Sequence, residues 1–159
     1  MLEVITAIFG IGKDIKSIIE DFQKKKKKTR GRINGILYEI LYNMSLIFED
    51  YLEAGDDPNN IAKDLKNDKL AQAIDDGFEF KKIKRGKISK KMVGNVGFLK
   101  PYVGYDCERF LINIRFHIDK LRRRPTMKTR KKAKTIDIKR RLENLGKRYL
   151  LFTKFLLTP

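Results

Sequence analysis

Residues 33–52 read INGILYEILYNMSLIFEDYL, and this stretch decides the fold class. Its apolar residues recur at intervals of three and four, which places them on one face of an amphipathic helix. We expect Gly55 to end this helix, because glycine adopts the left-handed conformation of a helix C terminus without strain. The inward positions are Ile33, Ile36, Leu37, Ile40, Leu41, Met44, Ile47, Phe48, Tyr51 and Leu52.

A second helix is predicted directly after Gly55. Asp57 is a favourable N-cap, and Pro58 suits the first turn, where its missing N–H is not needed. The helix is expected to run to about Asp76, before Gly77. Its inward positions are Ile61, Leu65, Leu70 and Ile74.

The N-terminal stretch predicts one further helix. Gly10 and Gly12 each cost a helix about 1 kcal/mol, so they indicate close packing or a local kink. The inward positions are Ile8, Ile11, Ile15, Ile18 and Phe22.

Two helices are predicted in the C-terminal third. One is marked by Cys107, Phe110, Leu111, Ile114, Ile118 and Leu121, and it ends near Arg124 because Pro125 follows. The other carries a short heptad seam of Ile138, Leu142, Leu145, Tyr149, Phe152 and Leu156. Its last stretch, YLLFTKFLL, is apolar nearly all round, which fits burial, pairing with a second copy, or lipid contact.

Residues 78–105 lack a clear period and contain four glycines. They predict a loop-rich, partly helical connector, with a short hairpin as the alternative. The whole chain, residues 1–159, is therefore predicted to be one all-α domain. We expect an antiparallel bundle of four long helices with a shorter helix and this connector.

Positive charge dominates the composition, with 37 Lys and Arg against 20 Asp and Glu, a net charge of +17. Three blocks contain no acidic residue: 24–32, 80–100 and 120–134. Residues 49–79, by contrast, hold ten of the 20 acidic residues and only three lysines. In an up-and-down bundle the three blocks would converge at one end, if the connector returns the chain to the other end. The alternative is that each run is a solvated helix end, favoured by the helix dipole.

A polyanionic partner would relieve this self-repulsion, and nucleic acid is the first candidate. The sequence contains no recognition helix, zinc finger or sheet-based RNA motif, so we expect RNA or DNA binding through the backbone with weak sequence preference. Aromatic residues near the second block, such as Phe98 and Tyr102, fit either base stacking or the core. The candidate binding residues are Lys24, Lys25, Lys26, Lys27, Lys28, Arg30, Arg32, Lys81, Lys82, Lys84, Arg85, Lys87, Lys90, Lys91, Arg122, Arg123, Arg124, Lys128, Arg130, Lys131 and Lys132.

Two alternatives to nucleic acid remain open. The apolar stretch VITAIFGIG, before the lysine run, could act on an anionic membrane, and it resembles the first helix of small bundles that permeabilise membranes. Lys13 and Asp14 interrupt it too early for a spanning helix, and it is a poor signal peptide, so a cytoplasmic protein is expected. A protein-interaction bundle, assembling through its acidic and basic ends or its C-terminal helix, is the second alternative.

Motifs for catalysis are not met. FGIGKDI lacks the earlier glycine and the Ser or Thr of a phosphate loop. His117 is the only histidine, and its distances from Arg109 and Arg115 do not fit the Arg–His spacing of all-helical HEPN ribonucleases. The single Cys107 excludes an internal disulfide. We therefore expect a non-catalytic module without metal or cofactor, acting as an accessory subunit of a nucleoprotein assembly.

Overall fold

The structure is a computed structural model, and every regular element in its described residues is helical. This confirms the all-α class. The description covers residues 2–10, 14–27, 31–123 and 131–159, with side-chain surroundings for all of them except residues 2 and 131–136.

Eight α-helices are joined by one π-helical stretch and two 3₁₀ turns in the described chain. The α-helices are α1 (Leu2–Phe9), α2 (Ile15–Lys27), α3 (Arg32–Ser45), α4 (Pro58–Asp64), α5 (Asp68–Asp75), α6 (Lys90–Val93), α7 (Cys107–Arg123) and α8 (Lys131–Leu157). The π-helical stretch is Leu46–Glu53, and the 3₁₀ turns are Phe80–Lys82 and Gly97–Tyr102.

Helix α8 forms the centre of the core. It packs against α1, α2, α3, α4, α6 and α7, and every position of the predicted heptad seam is buried. The final stretch YLLFTKFLL is buried too, including Thr153, except that Lys154 and Leu157 are only partly covered. Of the three roles considered for this stretch, core packing is the one the structure shows.

The single N-terminal helix predicted from the sequence is wrong. Helix α1 ends at Phe9, where Gly10 takes a φ of 83°, and α2 begins at Ile15. Asp14 Oδ1 accepts a hydrogen bond from Ser17 N at 2.6 Å and so caps α2. Ile8, Ile18 and Phe22 are buried as predicted, whereas Ile11 and Gly12 lie outside the described residues.

The single helix predicted from Pro58 to Asp76 is also wrong, because α3 side chains stabilise a break in it. Asn43 Oδ1 accepts from Lys66 N at 2.8 Å, and Asn43 Nδ2 donates to Lys66 O at 2.6 Å. The carboxylate of Glu39 accepts from the backbone N–H groups of Lys69 at 2.7 Å and Leu70 at 3.0 Å. These bonds satisfy the first turn of α5, so a new helix starts there.

The helix after residue 45 continues as the π-helical stretch, which was not predicted. Its wider turns bury three consecutive residues, Leu46, Ile47 and Phe48. Gly146 of α8 lies against this surface, where a Cβ atom would come within 3.2 Å of Ile47 and Phe48. Leu52, predicted to face inward, is instead 36% exposed.

Residues 78–105 form the loop-rich, partly helical connector that the sequence predicts. Ile88 N donates to Tyr105 O at 2.8 Å, and Gly104 N donates to Ile88 O at 2.8 Å. These bonds tie Ile88, inside the connector, to its C-terminal end without forming the alternative hairpin among the described residues. Gly94 lets α6 approach α1 closely, since a Cβ there would lie 2.6 Å from Ala7 O.

Candidate nucleic-acid interface

The first basic block lies at the C-terminal end of α2 and the start of α3. Lys24–Lys27 occupy the last turn of α2, and Lys26 lies over the ring of Tyr38 at 4.7 Å. Arg32 pairs with Asp76 at 3.1 Å. Lys28 and Arg30 fall outside the described residues.

The second block lies beside the first. Lys84 Nζ donates to the backbone carbonyl of Thr158, just after α8. The pKa of Lys84 is lowered by its partial burial and then by the positive charge of Lys25. Two like-charged side chains from distant parts of the sequence therefore lie close together at this end of the molecule.

Most other cations of the second block are exposed: Lys81, Lys82, Arg85, Lys87, Lys90 and Lys91. Lys82 lies 3.6 Å from Glu79. Lys81, Lys84 and Arg85 line a cavity of about 450 Å³ that Asp106 and Glu108 also line. This cavity is of mixed charge, so the exposed lysines around it form the more basic surface.

We name the joint face of these two blocks the lysine surface. Its residues are Lys24, Lys25, Lys26, Lys27, Lys81, Lys82, Lys84, Arg85, Lys87, Lys90 and Lys91.

Within the described residues, Arg122 and Arg123 of the third block lie at the far end of α7, so the predicted convergence of all three blocks is not seen there. Lys84 and the Cys107 thiol at the start of α7 lie close together and line the same cavity. Arg122 near the other end of α7 is about 22 Å away at 1.5 Å per helical residue. The connector ends beside the lysine surface, and α7 then runs away from it towards Arg122 and Arg123.

Two arginines of α7 meet carboxylates of α5. Arg115 lies 3.3 Å from Asp75, and Arg122 lies 3.9 Å from Asp68. Arg122 Nη1 also donates to Asn67 Oδ1 at 2.9 Å. We name these five residues the arginine–aspartate edge.

The remaining third-block candidates contribute less to this picture. Arg123 is exposed at the end of α7. Lys131 and Lys132 begin α8, with only their backbone described. Arg124, Lys128 and Arg130 lie outside the described residues.

Sequence reasoning missed a cluster of cations between α7 and α8. A cavity of about 300 Å³ is lined there by Lys120, Arg140, Arg141 and Arg148, together with His117. Acidic residues stand between these cations in the sequence, so a search for acid-free blocks passes over them. The seven-residue spacing of Arg141 and Arg148 was the available signal, because it puts both on one helix face.

Cys107 and His117 belong to the residue types most often used in catalysis, and burial shifts the pKa of each side chain. Burial is the main reason that the pKa of the Cys107 thiol is raised to about 12, which leaves little thiolate. Burial, and then the nearby Arg148, lower the pKa of His117 to about 4. In the part of the chain that the structure describes, no cluster of His, Cys, Asp or Glu could hold a metal ion.

Comparison of the chain with known protein families, curated proteins and solved structures gives no significant match. None of the helices in the described ranges combines the length and apolar character needed to cross a membrane.

Proposed function

We propose that this protein binds the backbone of RNA or DNA through the lysine surface, without chemistry of its own, as an accessory subunit of a nucleoprotein assembly. The observation that carries the proposal is that α2 and the connector each present an acid-free group of lysines, and that the charge of Lys25 in one group acts on Lys84 in the other. Holding like charges together costs free energy, and a bound polyanion offsets that cost. Backbone phosphates supply such a charge whatever the base sequence.

An exposed ring beside these charges favours single strands. Tyr38 is 52% exposed and lies under Lys26, so a cation and an aromatic face are presented together. The aromatic residues of the connector are less available: Tyr102 packs edge-on against Phe110 at 5.1 Å. We therefore assign base stacking to Tyr38 and only core packing to Tyr102.

The membrane alternative finds less support in the packing of α1. Ile5 and Ile8, its most apolar face, are buried in the core. Anionic lipid would thus be attracted by the lysine surface alone, which gives weak and salt-sensitive binding. The interaction-module alternative would place an acidic protein on the same surface.

The experiment measures binding of labelled single-stranded RNA, double-stranded DNA and anionic liposomes by anisotropy and sedimentation at several salt concentrations. Replacing Lys24, Lys25 and Lys27 by Gln should weaken RNA binding about tenfold or more at low salt. It should also reduce the slope of log K against log salt by about 2, since each lost phosphate contact removes about 0.7. The matched control replaces three exposed lysines outside this surface, Lys16, Lys63 and Lys69, by Gln.

Equal weakening by both triple variants would show that net charge alone attracts the nucleic acid and would contradict the assignment. Liposome binding that persists at high salt would favour the membrane alternative. Binding of neither ligand would direct the search to an acidic protein partner.

A further inference from the structure

The cavity between α7 and α8, which we name the α7–α8 pocket, has the features of an anion site. His117 and Lys120 face it from α7, and Arg140, Arg141 and Arg148 face it from α8. Its volume of about 300 Å³ lies at the lower limit for small-molecule sites. His117 and Lys120 lie about 15 to 20 Å along α7 from Cys107, which lines a cavity with Lys84, so the two sites are separate.

Arg148 is the central group of the pocket. It is only 5% exposed. The one hydrogen bond that its side chain makes to the described residues runs from Nε to the Tyr102 hydroxyl at 2.8 Å. The guanidinium stacks on Phe98 at 4.7 Å. No carboxylate of the described residues pairs with it, although a buried cation normally requires a counter-charge. Its remaining N–H donors are therefore left for a ligand.

The other charged residues of the pocket also favour an anionic ligand. Asp137 is the one carboxylate among the described lining residues, and its Oδ1 accepts from Arg141 Nε at 2.8 Å. Against it stand four cations, Arg148, Arg141, Arg140 and Lys120. Burial is the main reason that the pKa of His117 is lowered, and the charges of Arg148, Lys120 and Arg141 lower it further. The pocket therefore attracts anions and repels cations.

We propose that the α7–α8 pocket binds a phosphate monoester, with the planar fork of Arg148 holding two of its oxygens. A monoester near neutral pH carries up to two charges and ends in three acceptor oxygens, which matches several cations around a concave site. A phosphodiester carries one charge and continues on both sides, so it suits an exposed surface better. Arginine binds such oxygens bidentately, which a lysine cannot do.

The source of the monoester is a free phosphorylated small molecule or the phosphorylated end of an oligonucleotide. The rings at the site favour neither source, because Phe98 is already covered by Lys147 at 5.8 Å and by Arg148. The phosphate group itself is thus the recognised feature. The probes of the test must separate these two sources.

His117 provides the measurement, since it is the only histidine in the chain and its imidazole protons give isolated NMR signals. We would titrate the intact protein with inorganic phosphate, AMP, a 5′-phosphorylated RNA oligonucleotide and its 5′-hydroxyl counterpart, at constant ionic strength. Phosphate and AMP should shift the His117 signals and raise its pKa, because a bound dianion offsets the charges of Lys120, Arg140, Arg141 and Arg148. The 5′-hydroxyl oligonucleotide should leave them in place.

Two pocket variants and one control make the test specific. Arg148→Lys keeps the charge but removes the fork, and it should weaken AMP binding about tenfold or more. The double variant Arg140→Gln, Arg141→Gln removes two charges from the more exposed part of the pocket. It should also weaken AMP binding, so it tests the proposal if Arg148→Lys fails to fold. The matched control is Arg109→Lys on α7, which removes an exposed guanidinium lying over Tyr105 at 4.0 Å.

The proposal is overturned if millimolar phosphate and AMP leave the His117 signals unchanged, or if Arg109→Lys weakens binding as much as the pocket variants do. It is also overturned if the 5′-hydroxyl oligonucleotide shifts His117 as strongly as the phosphorylated one. Loss of nucleic-acid binding in the Lys24, Lys25, Lys27 variant with AMP binding intact would confirm two separate sites. A larger response to the phosphorylated oligonucleotide than to AMP identifies the source as a nucleic-acid end.

Discussion

The lysine surface and part of the arginine–aspartate edge come from sequence blocks that look alike, yet Lys25 of the one and Arg122 of the other have opposite charges near them. At the lysine surface Lys25 faces another cation, Lys84. At the edge, Arg115 and Arg122 each meet an aspartate of α5. A run of basic residues therefore does not reveal whether its charge is free to bind a ligand. The tertiary neighbours decide it.

The largest expected effect concerns the helix break that positions the edge. Asn43 is 1% exposed, and besides its two bonds to Lys66 it donates from Nδ2 to the Tyr149 hydroxyl at 2.9 Å. Asn43→Ala leaves these buried groups without partners, so we expect the free energy of unfolding to fall by about 3 kcal/mol. Urea unfolding measures this change, with the exposed Asn60→Ala as control.

If the α4–α5 break determines where Asp68 stands, Asn43→Ala should also uncouple Arg122 from the edge. Arg122→Gln would then have no additional effect in the Asn43→Ala background, as a double-mutant cycle would show. An unfolding free energy within about 0.5 kcal/mol of wild type for Asn43→Ala would mean that the break forms without this side chain.

A smaller effect concerns the cations near His117, which help to lower its pKa as Lys25 helps to lower that of Lys84. The pKa of His117 is lowered from 6.5 to about 4, so between these values the unfolded chain binds the proton more readily. The free energy of unfolding should therefore fall as the pH drops from 7 to 4. His117→Gln should remove about 1 kcal/mol of that fall, discounted because the side chain is partly exposed.

The measurement compares urea midpoints of wild type and His117→Gln at pH 7 and pH 4.5. Carboxylates titrate in both proteins, so only the difference between the two proteins reports the histidine. An identical acid response in both would show that neither burial nor the nearby cations lower the pKa of His117.

The smallest expected effects are changes in the free energy of unfolding that differ between the two regions. Arg122→Gln should lower the free energy of unfolding by about 0.5 kcal/mol, since Arg122 loses Asp68 and Asn67. Lys25→Gln should leave stability unchanged or raise it slightly, because it removes a repulsion with Lys84. Thermal unfolding at 50 and 500 mM salt checks both, and salt should shrink both differences. A destabilising Lys25→Gln would contradict the contrast between the two regions.

Much of the fold follows from local pattern, and the exceptions depend on distant contacts. The seam from Ile138 to Leu156 and the N-cap at Asp57 are local features, and the structure confirms both. The break at Lys66 depends on Asn43 and Glu39 of another helix, which no local period can reveal. The apolar positions continue across the break, so they predicted one helix where there are two.

The candidate sites divide in the same way. The charged blocks at Lys24–Lys27 and Lys81–Lys91 could be chosen from the sequence, because they are continuous and contain no acid. The α7–α8 pocket could not, because Lys120, Arg140 and Arg148 become neighbours only when two helices pack. Burial of Arg148 is a property of the folded state alone.

The π-helical stretch Leu46–Glu53 bears on which changes in chain length this protein can tolerate. A π turn holds one residue more than an α turn, so this segment already accommodates the equivalent of an inserted residue. Deleting one residue there could return the helix to α geometry with α3 and the Gly55 turn still joined. A further insertion could not be absorbed in this way, and it would rotate Ile47 and Phe48 away from Gly146. Sequences that drift from this one should therefore shorten here more readily than they lengthen.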